Sequence, residues 1–204
     1  MITRLIVLMS ILLMACQAKV TRETPKEATS IPFVIDKAAH IKRLINSVGF
    51  VSLPFNYDVY KSNPETRFSI DRKTVDLLGF DYGPIQGVLP DTSSHYVFLH
   101  YVIGDSVYPI LNSFDKNGNK IDQQGIGVCY CNGGGPIARQ DECTDVVTIH
   151  RDLTIEAFYR FRGILQPDSQ PGKYVCEQRT IAGRITGDGR IELKKSEMQD
   201  CSKK

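Results

Sequence analysis

The chain has 204 residues, 25 of them Lys or Arg and 23 Asp or Glu, so it is close to neutral. That balance, with no basic cluster along the chain, argues against a nucleic-acid partner. Six cysteines and 42% hydrophobic residues leave room for disulfides and a sizeable core, and no repeat or low-complexity block divides the chain.

Met1 to Cys16 reads MITRLIVLMSILLMAC. One cation, Arg4, precedes an apolar run from Leu5 to Ala15 that only Ser10 interrupts. A membrane-crossing helix needs about 20 apolar residues, so this run is too short to span and suits a secretory signal. It ends Leu13-Met14-Ala15-Cys16, which resembles the lipobox of bacterial lipoproteins. The resemblance implies removal of residues 1–15, a diacylglyceryl group on the Cys16 thiol and acylation of the new amino group. Several acyl chains on one residue suffice for stable anchoring, so the expected protein is tethered to a membrane without crossing it. Residues 16–32 are polar, carry Pro25 and Pro32, and read as a flexible tether reaching roughly 20–25 Å. No aspartate follows Cys16, which by analogy with lipoprotein sorting favours the outer membrane, on its periplasmic face.

Residues 33–204 are expected to form a single β-rich domain. Asp36 caps a helix over Lys37–Val48, where Ile41, Leu44, Ile45 and Val48 recur at helical spacing and Gly49 stops it. Phe50–Leu53 is expected as a strand before Pro54. The stretch from Asn56 to Gly83 offers a strand-like Arg67–Ile70 and one helical turn capped by Asp71. From Pro84 the pattern is β: Ser94–Ile103, a Gly104-Asp105-Ser106 turn, Val107–Phe114, an Asn-Gly turn, then Lys120–Cys131. A glycine-rich loop, Asn132–Glu142, leads into Thr144–His150 and Leu153–Arg162. Tyr174–Ile185, a Gly187-Asp188-Gly189 turn and Arg190–Leu193 close the domain. Strands joined by short turns run antiparallel. The expected fold is therefore mainly β, an antiparallel meander forming a sandwich or open barrel, with a short N-terminal helix.

The segment YVFLHYVIGDSVYPILNSFDKNGNKID, Tyr96 to Asp122, resembles a block in uncharacterised lipoproteins of Bacteroidetes-type bacteria. The sequence around Ile149–Asp152 and the closing Gly187–Leu193 resemble that family too, so the similarity covers roughly Leu53 to Leu193. It implies a β-domain on a lipoprotein and carries over no functional residues.

Candidate sites are few. An exported protein keeps disulfides, and among Cys129, Cys131, Cys143, Cys176 and Cys201 the expected bridge is Cys131–Cys143, closing the glycine-rich loop at its base. Cys201, in the polar tail, is expected as the odd thiol. The loop itself, with Asn132, Arg139, Asp141 and Glu142, is the most site-like feature, since binding residues often sit on loops held by a scaffold. Gly104-Asp105-Ser106 and Ser113-Phe-Asp-Lys116 imitate serine-hydrolase motifs, but no partner residues stand at the required spacings. Asp115-x-Asn117-Gly118-Asn119 starts like a calcium loop and lacks its glycine and bidentate glutamate, so turn chemistry accounts for it. The histidines, His40, His95, His100 and His150, show no ligand spacing and read as satisfied or surface groups. No metal or cofactor is expected. The reading is a lipid-anchored cell-envelope lipoprotein whose domain is a non-catalytic binding or assembly module, engaging an envelope protein or glycan. The alternative is an envelope hydrolase drawing on Asp105, Asp115 or Asp152 with His100 or His150.

Overall fold

The computed structural model describes residues 36–58, 69–81, 83–91, 93–103, 107–127, 137–165 and 171–202. Helix α1 spans Lys37–Val48, and the Asp36 carboxylate accepts the Ala39 N–H at its start. Such a cap satisfies one of the four N–H groups a helix leaves without a partner. Helix α2, Arg72–Leu78, is capped in the same way by Asp71, which accepts from both the N–H and the hydroxyl of Thr74. It is longer than the single turn expected.

Among the described residues, ten strands follow the order β1 (Phe55–Asp58), β2 (Ile85–Val88), β3 (Tyr96–Ile103), β4 (Val107–Phe114) and β5 (Lys120–Gly125), then β6 (Ile137–Ile149), β7 (Thr154–Leu165), β8 (Lys173–Ile185), β9 (Ile191–Lys195) and β10 (Gln199–Asp200). They form two antiparallel sheets. One has the order β2-β3-β4-β5, and the other β1-β6-β7-β8-β10, with β9 also on β8. The fold is mainly β, as its alternating patterns require.

Period-two alternation builds three layers from one sheet. Along β3, Val97, Leu99 and Tyr101 point toward the second sheet, where they pack with Val147, Ile149, Ile155, Ala157, Tyr159 and Phe161. The intervening Tyr96 and Phe98 face the helices and pack with Ile41, Leu44, Ile45, Val75, Leu78 and Phe114. The four-stranded sheet is thus covered on both faces. Each such fully buried side chain contributes about 1.5–3 kcal/mol.

A polar clamp joins the two sheets: the Ile191 N–H on β9 donates to the Asp122 carboxylate on β5 at 2.8 Å. Asp122→Ala is expected to lower stability by about 1–2 kcal/mol, because the amide loses its acceptor in a part-buried position. An unchanged urea midpoint would show the clamp to be idle.

Several expectations need correcting. Phe50–Leu53 is not a strand; Phe50 makes one isolated parallel bridge to Val88, and pairing begins only at Phe55. The pairing of β5 ends at Gly125, well short of Cys131, and β5 lies in a different sheet from β6. Arg139, Asp141 and Glu142 stand on β6 and not in a loop. Cys201 is not a free thiol: it is bridged to Cys176, with 4.9 Å between Cα atoms. The two-residue β10 pairs with Glu177 and Gln178, which sets Cys201 beside Cys176 on the neighbouring strand.

Candidate functional site

Strands β6, β7 and β8 are 12–13 residues long, and their register fixes which side chains share the face turned away from the core. Glu142 lies opposite Arg162, which lies opposite Cys176; Thr144 opposite Arg160, then Gln178; Val146 opposite Phe158, then Thr180; Thr148 opposite Glu156, then Ala182. Past the bulge between Gln140 and Glu142 in β6, Arg139 stands opposite Ile164, which faces Tyr174. Among the described residues no element covers this face.

The platform measures roughly 40 Å along the strands and 15–20 Å across them. That is the scale of the surface, about 800 Å², that one partner gives to a standard protein interface. At its middle, Val146, Phe158, Thr180 and Ala182 line a shallow, open depression of about 330 Å³. To one side Glu142 lies between two cations, 3.7 Å from Arg160 Nε and 3.5 Å from Arg162 Nη1. One carboxylate facing two guanidinium groups leaves this sector positive. The Nε atoms of Arg160 and Arg162 are both buried without a hydrogen bond. Arg139 pairs with Asp141 at 2.9 Å, and Tyr174 is 50% exposed beyond it. At the β8–β10 edge, Lys173, Tyr174, Met198 and Asp200 border a second open depression of about 420 Å³.

The residues expected in one loop are therefore divided. Glu142 belongs to the platform, Arg139 and Asp141 form their own ion pair, and Asn132 lies outside the described residues. Cys143 is disulfide-bonded; its expected partner Cys131, like Cys16, lies outside the described residues. Sequence reasoning missed Phe158, Arg160 and Arg162, although their shared parity with Glu156 in an alternating strand put all four on one face.

The candidate acid–base groups are scattered. Asp105 is outside the described residues. Asp115 accepts the N–H groups of Asn117 and Asn119 and the Asn119 side-chain amide, and the last of these bonds leads in holding its carboxyl below the usual range. Asp152 is likewise held low, chiefly by the Thr154 hydroxyl. His150 Nε2 lies 3.4 Å from Glu156 Oε2, and with Pro54, Arg151, Asp152 and Thr154 they border a wide-open depression of about 630 Å³.

His95 and His100 are buried, against the expectation of satisfied or surface groups. Asn112 Nδ2 donates to His100 Nδ1 at 2.7 Å, which leaves the ring proton on Nε2, an atom with no partner. The ring sits edge-on to Phe80 at 5.5 Å, and burial pushes its pKa down to about 4. His95 is lowered too, again by burial, and its Nε2 is also unpartnered. Neither ring reaches the platform, because both lie on or beside β3 in the other sheet. Among the described residues no group of His, Cys, Asp and Glu is arranged to hold a metal ion.

No protein-family model matches this chain, no curated protein matches its sequence, and no solved structure matches it.

Proposed function

We propose that this protein is a lipid-anchored cell-envelope lipoprotein whose β-domain is a non-catalytic binding or assembly module. The lipobox-like Leu13-Met14-Ala15-Cys16 supports the anchor, with Cys16 as the lipidated residue and the outer membrane, periplasmic side, as the site. One observation carries the binding role: the four-stranded sheet is covered on both faces, whereas the six-stranded sheet leaves one long face uncovered among the described residues. That face has a small apolar centre at Val146 and Phe158 and a rim of Arg, Glu, Gln and Thr, the anatomy of a protein–protein interface. Its occupant is another envelope component, and the flat, extended shape favours a protein over a glycan.

The test is affinity purification of the tagged full chain from crosslinked, detergent-solubilised membranes, beside Cys16→Ala and Thr180→Arg. Thr180 is exposed at the platform centre, so Thr180→Arg should alter stability by no more than about 0.5 kcal/mol. A stoichiometric partner is expected with the wild type, reduced in Cys16→Ala. With Thr180→Arg it should fall about tenfold, which corresponds to roughly 1.4 kcal/mol of binding. A partner retained in full by Thr180→Arg would remove the platform from the account.

A second reading, an envelope hydrolase, draws on the His150–Glu156 pair beside Asp152. It requires that His150→Ala abolish turnover of an ester, peptide or glycoside substrate by the wild-type protein.

A further inference from the structure

We infer that the occupant of the platform is a second copy of this chain, which rests on the binding role proposed above. The two copies pack face to face about a twofold axis that crosses β7 at Phe158. On β7, Ala157, Tyr159 and Phe161 belong to the core, so Glu156, Phe158 and Arg160 stand on the outward face. Glu156 and Arg160 lie two residues to either side of Phe158, roughly 7 Å from it in opposite directions. The charge along the strand therefore changes sign about its apolar centre.

A twofold axis that lies between two sheets and runs across their strands reverses each strand over its own copy. Residues spaced equally about the axis then meet twice, the self-complementary condition of an isologous contact. About Phe158, Arg160 of each copy comes over Glu156 of the other. The same rotation sets Val146 over Val146, Thr144 over Thr148 and Gln178 over Ala182, because the register spaces these pairs evenly in the flanking strands. The reversed strands are nearly aligned, as they are in ordinary sheet-on-sheet packing.

Both charged groups keep surface for the crossing contact: the Glu156 side chain is 72% exposed and the Arg160 side chain 31%. A twofold axis along the strands would instead set Glu156 against Glu156 and Arg160 against Arg160, so the charges select the crossing axis. Asp58, opposite Val146 on β1, meets its own copy at the rim, where solvent and salt screen like charges. The extent of the platform gives about 600–800 Å² from each copy, roughly 1,200–1,600 Å² in all, the range of a stable protein interface.

The test is capture between two differently tagged copies of the full chain, co-expressed and extracted from membranes in detergent. One tag is pulled down and the other is quantified. Wild-type copies are expected to capture each other. Glu156→Arg alone and Arg160→Glu alone should each cut capture about tenfold or more, because both crossing pairs become like-charged. A Glu156→Arg copy expressed with an Arg160→Glu copy should restore it, since opposite charges again face each other at both crossings. Recovery in that mixture also shows that both variants fold. Thr180→Arg, exposed beside Phe158, should abolish capture in every combination. Capture that Thr180→Arg leaves intact would place self-association on another face and overturn the inference. Loss in both single variants without recovery in the mixture, at wild-type urea midpoints, would overturn it too. If wild-type copies fail to capture each other, the second copy is refuted. A different protein held by the wild type and lost with Thr180→Arg then keeps the platform as a binding face, whereas no partner of either kind removes both.

Discussion

Stability is expected to fall by about 3 kcal/mol as pH drops from 6.5 to 4, a window set by His100. The ring is fully buried, edge-on to Phe80, and its Nδ1 accepts from Asn112 Nδ2. Its pKa of about 4 lies below the ordinary 6.5, so the unfolded chain binds the proton more tightly than the folded one. The stabilising contribution is therefore complete above pH 6.5 and is lost as pH falls through 4. His95 shifts the same way and adds to the slope. The depressed carboxylates Asp71, Asp91, Asp115, Asp152 and Asp188 start from 3.8 and act below this window. Urea midpoints across the range test the assignment. His100→Gln retains an amide for Asn112 but has no proton to gain, so its profile should flatten by more than half. A slope as steep as that of the wild type would acquit His100.

Removing the Cys176–Cys201 bridge is expected to cost about 3.5 kcal/mol, the loop-closure value for a separation of 25 residues. For a domain of this size that is a fall in Tm of about 10 °C. The relevant variant is Cys176→Ser with Cys201→Ser, which leaves no stray thiol. Beyond β9 the tail is held by the pairing of Gln199 and Asp200 with β8 and by the Gln199–Gln178 side-chain bond. Without the bridge, those contacts are too few to fix it, and proteolysis after Lys195 should become rapid. A loss below about 1 kcal/mol would mean that the strand pairing alone retains the tail.

Local chemistry made some elements readable in advance. Asp36, the 3.6-residue spacing of Ile41, Leu44, Ile45 and Val48, and Gly49 defined α1 to the residue. The aromatic and β-branched run at Tyr96–Ile103 and the Asn117-Gly118 turn defined the β3–β4–β5 meander. The early part of β6 was hidden because Ile137–Cys143 is mostly polar and follows a glycine run; it is a strand because Phe161–Leu165 of β7 pairs with it. β10 was hidden for a similar reason, since a polar Gln-Asp pair has no strand signal of its own. The platform was half-visible. Parity placed Phe158, Arg160 and Arg162 together, but which strands flank β7 depends on long-range pairing that no local pattern encodes.

The place of β1 at the edge of the six-stranded sheet bears on how the chain acquires its form. Asn56 meets Thr148 across 92 residues, whereas β7, β8 and β9 each pair antiparallel with the strand before, and β10 continues from β9 along the same strand, β8. Loop closure over such a distance is slow relative to hairpin formation. A chain that emerges amino end first holds β1 in waiting until the last third has been made. The carboxy-terminal meander is the part able to form early, and β1 completes the sheet after it.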